Sequence, residues 1–494
     1  MNTQKIKYCS LFALLFLSMS SCKKFLTVMP VGQTTIPVLF SDMDGIRAAI
    51  PGAYAKTYDY YSNHFYIYPE LAGDLLNPDL SLINEGQINI YNFNSIPDQE
   101  AAPSAKIWSD ILAALANVNN ALFYIPSLKE KFPANRNELD IYKAELLFLR
   151  ALGHFDLCRA YAQPYTYTAG ATHLGVPILS QTPSPDDNVS RQSVGKVYEF
   201  ILNDLKEAER IYNSTPAWRT AKQRPYFVSK DAVQALLSRV YLYMEDWDQV
   251  IYYAGEVIKK LPLAQSDAYT DMFFNLAGSE TETIFRLNGE DKGSGIFSFY
   301  NFRVSEEALG YPSGIPANKL LDSYEEEGDI RKANLLLKVD VGSGFYYVTR
   351  KFDAEQTSTE KSKQHINPLI LRTSEMYLNR AEAYIGKKQP AQAAVDIKTI
   401  QARAIETASS NITLPESDLD AMTEIVYQER VRELALEGHR LFDITRRKQD
   451  LVRDMTTTSI VPKLTYPSDY FILPIPQREL DANPNMKPNP TVNN

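Results

Sequence analysis

Cysteine is nearly missing from this chain: Cys9, Cys22 and Cys158 are the only three in 494 residues, so no disulfide framework can hold it together. Histidine is almost as scarce. His64, His154, His173, His365 and His439 are scattered, and no HExxH, CxxC, GxSxG or GxxxxGK[ST] spacing occurs. Zincin, dithiol, serine-hydrolase and phosphate-loop chemistry therefore have no foothold in the sequence. Positive charge is also short. Lysine and arginine number 51 against 60 acidic residues, a formal charge of −9 that becomes −11 without Lys5 and Lys7, and no basic stripe offsets it. Nucleic acid and anionic membrane surfaces are excluded as ligands on this ground. Beyond residue 21 there is no run of about 18 apolar residues, the length a spanning helix needs.

What the N-terminus does contain is a processing signal. Lys5 and Lys7 precede an apolar stretch from Leu11 to Leu17, and Met19-Ser20-Ser21-Cys22 has the small residues of a lipobox. The expectation is a signal peptide over 1–21 and a mature body over 22–494. Cys22 would carry diacylglycerol and further acyl chain such as palmitate. At about 0.8 kcal/mol per buried methylene, two or more chains anchor a protein stably. Cys9 leaves with the signal and Cys158 is left without an intrachain partner.

With 45% apolar and 22% charged residues, the body can bury a large core. Helical periodicity dominates two blocks, about 105–260 and 370–447. Val233, Leu236, Leu237, Val240, Tyr241 and Met244 fall on one helix face, and Asp246-Trp247-Asp248 turns the chain into Val250, Ala254, Val257 and Ile258. This is a helix hairpin with small and aromatic residues where a tetratricopeptide repeat has them. Related pieces occur at Leu149-Arg150-Ala151 and at Asn379-Arg380-Ala381, the latter followed by Tyr384, a break at Gly386 and Ala391 to Val395. The fold class expected is mainly α: helix pairs stacked into a right-handed tetratricopeptide-like scaffold, interrupted by long insertions. Segments of about 30–104 and 269–367 show no sustained period and read as irregular, which is where binding residues tend to sit. The proline-rich C-terminal stretch, 460–494, reads as extended.

Several local patterns invite a functional reading and are better explained otherwise. Asp42-Met43-Asp44-Gly45 is a fragment of a calcium loop without its later ligands, so it caps a helix starting near Gly45. The glycines from Gly289 to Gly295 lack phosphate-loop spacing and form a plain loop. Glu429 to Asp443 sets carboxylates and His439 together as if for acid–base work. Three- and four-residue spacing of Glu429, Arg432, Glu433 and Glu437 argues for charges paired along a partly buried helix face instead.

That last stretch, Glu429-x-x-Arg432-Glu433-Leu434-x-x-Glu437-Gly438-x-Arg440 through Asp443 and Arg446, closely resembles the signature of the SusD/RagB family of outer-membrane nutrient-binding lipoproteins. Other pieces match in order: Ser21-Cys22-Lys23-Lys24-Phe25-Leu26, Ala144-Glu145 through Arg150-Ala151 and Tyr161, Ala235 to Leu242, Glu375 to Tyr384, and Leu473-Pro474-Ile475-Pro476 with Asn483-Pro484. Thr27 departs from the aspartate common after Phe-Leu. The resemblance implies a non-enzymatic protein on the outer face of the outer membrane. It would bind an oligosaccharide and deliver it to a SusC-like TonB-dependent transporter, without cofactor, metal or catalytic residue.

Sugar binding calls for aromatic faces and amide, carboxylate or guanidinium partners for hydroxyls. Candidates in the irregular segments are Tyr60, Tyr61, Asn63, Asp74, Asn94, Asp98, Arg286, Phe299, Tyr300 and Tyr346. Trp108 and Trp247 read as core and only Trp218 falls in a loop, so tyrosine must replace the tryptophan platforms expected of starch binders. A peptide-capturing lid of the same fold and a surface glycoside hydrolase stay open as alternatives.

Overall fold

The computed structural model describes residues 35–490 apart from 185, 218, 220–224, 274–280, 290–291, 301–311, 325–327, 341–343, 353–365 and 406–411. The signal segment, Cys22, Trp218 and His365 lie outside the described residues. The principal helices are α1 (Met43–Tyr60), α2 (Glu85–Tyr91), α3 (Pro103–Lys131), α4 (Arg136–Tyr161), α5 (Val194–Ser214), α6 (Lys230–Met244), α7 (Trp247–Ile258), α8 (Thr373–Gly386), α9 (Pro390–Ala404), α10 (Leu419–Leu434) and α11 (Arg440–Arg446). Short strands β1 (Leu76–Pro78), β2 (Thr283–Arg286), β3 (Gly314–Pro316), β4 (Leu336–Asp340), β5 (Phe345–Thr349) and β6 (Leu369–Arg372) pair antiparallel as β1/β3, β2/β6 and β4/β5. The protein is mainly helical, with the helix pairs expected from the sequence.

Each helix in the series from α3 to α8 packs on the next, and α8 carries both α9 and α10. The α6/α7 hairpin turns where expected: Glu245 takes φ 59 and Asp246 caps α7 by accepting from the Gln249 amide. Contact of α7 with α8 closes the scaffold across the long insertion between them. Helix α3 is long and apolar enough to cross a membrane, but Trp108, Ile111, Leu115, Val118 and Ile125 on one of its faces are buried in the protein core.

The first insertion is more regular than its sequence suggests. Asp42 caps α1 by accepting from the Gly45 amide at 2.9 Å, as expected, and Met43, Ile46, Ile50, Ala53, Tyr54 and Thr57 form a helical stripe. Glycines 45 and 52, Pro51 and the clustered tyrosines disguised that period, since all are poor helix formers that tertiary burial overrides here. Pro51 sits on the exposed side, where its missing amide costs least. The C-terminal stretch also holds a helical turn, Gln477–Ala482. Its prolines frame this turn at Pro476 and Pro484 instead of excluding it.

The signature stretch is more deeply buried than a partly buried face. Glu433 accepts from Arg331, Arg372 and Arg403, while Glu282, Glu429, Glu437, Asp329 and Lys351 complete the buried array. Glu437 is not on the helix with Glu433. The helix ends at Leu434, and Leu436 and Gly438 take φ 66 and 82, turning the chain so that both carboxylates reach Arg372 from different directions. A second array joins Arg430 and Arg446 to Asp443, with Glu382 on Arg446. Every carboxylate in these two arrays meets a cation, which is the condition for burying charge at tolerable cost. They tie α8, α10, α11 and the β2/β6 pair into one rigid unit, and His439 lies buried beside them.

Candidate functional site

Six of the ten ligand candidates read from the sequence are buried and committed elsewhere. Tyr60 and Tyr61 both donate to Asp156, at 2.9 and 2.6 Å, in the interior, so neither ring has a free face. Burial, reinforced by the Asp156 charge, pushes both phenols well above their ordinary value. Phe299 and Tyr300 meet edge to face at 4.9 Å, and Tyr300 stacks on Phe352. Arg286 is wholly buried and donates to the Met272 carbonyl. Asp74 accepts from Arg440 and Lys319; burial alone would raise its carboxyl, but the two cations hold it down at about 2. The chemistry that suits these residues to a ligand serves packing in this fold: tyrosine hydroxyls satisfy a buried carboxylate, and carboxylates satisfy buried cations.

Of the other four, Tyr346 is half-buried on β5, packed on Val339 and Val348, and Asn63 is exposed after α1. Asn94 and Asp98 are exposed together on one loop, and here the surface becomes chemically interesting. Helix α2 starts with a capping box between Asn84 and Gln87. It ends at Tyr91, after which Phe93 adopts φ 53 and the Asn94 amide returns to the Asn89 carbonyl. A non-glycine residue in the left-handed region is strained, and here Phe93 is held there by its ring, edge-on to Phe471 at 6.0 Å.

The C-terminal segment lies against this loop. Gln477 donates its amide to the Pro97 carbonyl, Leu473 to Ala160, and the Asn489 side chain to Tyr161 and Leu473. Gln163 donates to the Ser468 carbonyl, and Ser468 caps the turn Asp469–Phe471. That turn drives Phe471 inward as a peg and leaves Tyr470 outward, 45% exposed, next to exposed Asp469. Tyr167, 38% exposed on the turn Tyr165–Tyr167, meets His173 edge-on at 5.2 Å.

Two small depressions flank Ile472, one bounded by Phe93, Ser95, Tyr470 and Pro474, the other by Arg159, Gln163, Pro164 and Tyr198. Each has about 20 Å³, room for a water or a hydroxyl but not a ring. A cavity of about 160 Å³ lies elsewhere, lined by Ile141, Tyr212, Arg219, Phe227 and Lys230; at the Ile472 depressions a ring-shaped ligand has room only across the surface, beside Tyr470 and Asp469. Asn94 and Asp98 are among the residues that the sequence singles out, and both are exposed; Tyr470 and Tyr167 are not among them. The available signal was Pro467-Ser468-Asp469-Tyr470-Phe471, two adjacent aromatics in a capped turn, where only one can face inward.

Among the described residues, no group of three or more His, Cys, Asp or Glu side chains is placed to hold a metal ion. His64 and His154 are each pushed down to about 4 by burial, and Cys158 up to about 12, so none is poised as an acid, base or nucleophile near neutrality.

Residues 292–491 match the family model described as the SusD family, and residues 45–242 a model described as starch-binding associating with outer membrane. SusD-like protein P2 of Formosa agariphila is 24% identical, with 98% of this chain and 99% of the relative aligned. A SusD superfamily protein of Bacteroides thetaiotaomicron superposes with TM-score 0.78 at 24% identity, covering 91% of this chain and all of that one. A laminarin-binding SusD-like protein superposes with TM-score 0.70 at 22% identity, covering 91% and 99%.

Proposed function

Because the chain belongs to the SusD family, we propose that it is a glycan-binding lipoprotein of the outer membrane, anchored through Cys22, that captures an oligosaccharide and passes it to a SusC-like TonB-dependent transporter. The observation that carries the binding part is the surface at Tyr470. An outward ring is fixed by an inward Phe471 and a capped turn; Asp469 and Ser95 line the same depression, and exposed Asn94 and Asp98 belong to the loop that carries Ser95. Aromatic faces take the apolar C–H side of a sugar, and Asn94, Asp98 and Asp469 suit its hydroxyls. A rigid scaffold holds these groups in place before ligand arrives, which reduces the ordering cost of binding. On this reading the role is capture without catalysis. Laminarin, the ligand named for one structural relative, is the first glycan to try.

Titration calorimetry against laminarin and starch oligosaccharides tests this. Tyr470→Ala should weaken binding about five- to thirtyfold, or about 1–2 kcal/mol, with an unchanged melting temperature. Undiminished affinity in that variant would move the site elsewhere. A purified protein that bound peptides and no glycan would make it a peptide-capturing lid, and release of reducing ends from the same glycans would make it a hydrolase. Copurification of a large β-barrel in mild detergent tests the transporter.

A further inference from the structure

We propose that the apolar cap around the N-terminal turn Ile36–Leu39 is a bilayer-contact surface, on which the body rests against lipid beside its own anchor; this builds on the lipoprotein reading above. Ile36, Val38 and Phe123 are 46, 60 and 69% exposed, and Pro37 and Pro126 are exposed with them. Single exposed apolar residues need no explanation, but these are joined. Phe123 meets Tyr124 edge-on at 5.0 Å, and Tyr124 stacks on Phe40 at 4.9 Å, linking the end of α3 to the turn.

The cap is also built rigidly. A Cβ on Gly45 would fall 1.4 Å from the Leu39 carbonyl oxygen, so the turn lies hard against the start of α1 where only glycine fits. Lys131 donates to the Ser41 carbonyl and fixes the same turn to the end of α3.

Position selects lipid as the occupant. Twelve residues, 23–34, separate Cys22 from Thr35, and the thirteen steps between them reach at most about 45 Å. The exposed apolar residues stand where that tether joins the body, the part of the surface held nearest the anchoring bilayer. Charge plays little part, because exposed Lys131 and Arg47 are offset by exposed Asp42, Asp44 and Glu130, Asp44 being paired with Arg47. The contact is apolar and belongs at the interface between headgroups and acyl chains.

The full acylated protein, reconstituted in phosphatidylcholine vesicles, provides the test. Phe123→Cys carries an environment-sensitive fluorophore. Val395→Cys carries it in a control, on an exposed position of α9, which packs against α8 and α10. Cys158 stays unlabelled because it is buried and its thiol is pushed up to about 12. Spin-labelled lipids should quench the label at 123 and not at 395. Ile36→Asp with Val38→Asp should abolish that quenching while the protein still floats with the vesicles and keeps its melting temperature. Floating vesicles with neither label quenched, or both equally, would overturn the proposal, as would quenching that required anionic lipid. Protection of position 123 only when a transporter is present would reassign the cap to a protein partner. Failure to float at all, matched by Cys22→Ala, would reject the anchor itself.

Discussion

Replacing Glu433 with glutamine removes one charge from the centre of the buried array while keeping the shape of the side chain. Glu433 is wholly buried and faces three guanidiniums. Burial by itself would raise its carboxyl, but Arg403, Arg372 and Arg331 outweigh that and hold it well below the ordinary value of 4.5. Arg331 and Arg372 keep other carboxylates, Glu429 and Glu437 among them, whereas Arg403 keeps Glu282 and the Tyr269 ring at 3.8 Å. Removing one partner of a buried charge pair costs about 3–5 kcal/mol, and the remaining carboxylates place this case near 3. For a body of this size roughly 1 kcal/mol corresponds to a degree, so the melting temperature at pH 7 should fall by about 3 °C. The pH dependence has a definite sign. A carboxyl depressed in the folded state stabilises above its unfolded value and loses that contribution as pH falls through the folded value. The gap between wild type and Glu433→Gln should therefore be full above pH 4.5 and narrow below it. Calorimetry across pH, with exposed Glu424→Gln on the same helix as control, measures this. A gap that stayed constant down to strong acid would show a packing defect and refute the charge argument; no gap at pH 7 would refute the magnitude.

Glu70 behaves in the opposite sense. One of its oxygens accepts from the backbone amides of Gly438, His439 and Arg440, but the other has no partner, and burial pushes the carboxyl up to about 7. Its contribution is full below pH 4.5 and lost as pH rises through 7, so Glu70→Gln should match wild type in acid and gain on it by about 3 kcal/mol toward pH 8; a pH-independent difference in melting temperature would contradict this. Gly386→Ala would set a methyl 2.3 Å from the Trp247 ring and should destabilise the α7/α8 contact by about 1–3 kcal/mol. Trp247→Ala in the same chain should relieve part of that loss, and strictly additive denaturation energies would argue against the clash.

Trp247 also marks a limit of pattern reading. The sequence placed both Trp108 and Trp247 in the core; Trp108 is 1% exposed, whereas Trp247 is half-buried, filling the space that Gly386 leaves open. An amphipathic stripe tells which face of a helix turns inward, but how deeply each position sinks depends on the neighbour across the contact. For the same reason Tyr60, Tyr61, Phe299 and Tyr300 looked like a binding surface. Composition cannot distinguish an aromatic whose hydroxyl serves a buried Asp156 from one offered to a ligand.

Sequence alone determined the helix-pair architecture, the turn at Asp246, the cap at Asp42 and the family, because these depend on periodicity and local hydrogen bonding within a few residues. The expected lipid anchor at Cys22 comes from the same kind of local pattern. Only the tertiary structure decided which polar and aromatic side chains are spent inside. Glu433 and Glu437 reach one arginine because the chain reverses at Leu436 and Gly438, not because they are four residues apart. Ser95 and Tyr470 line one depression, and near it Gln477 bonds Pro97 across a separation of 380 residues. Such long-range contacts leave no periodic trace in the chain, since what sets them is the packing of one completed element on another.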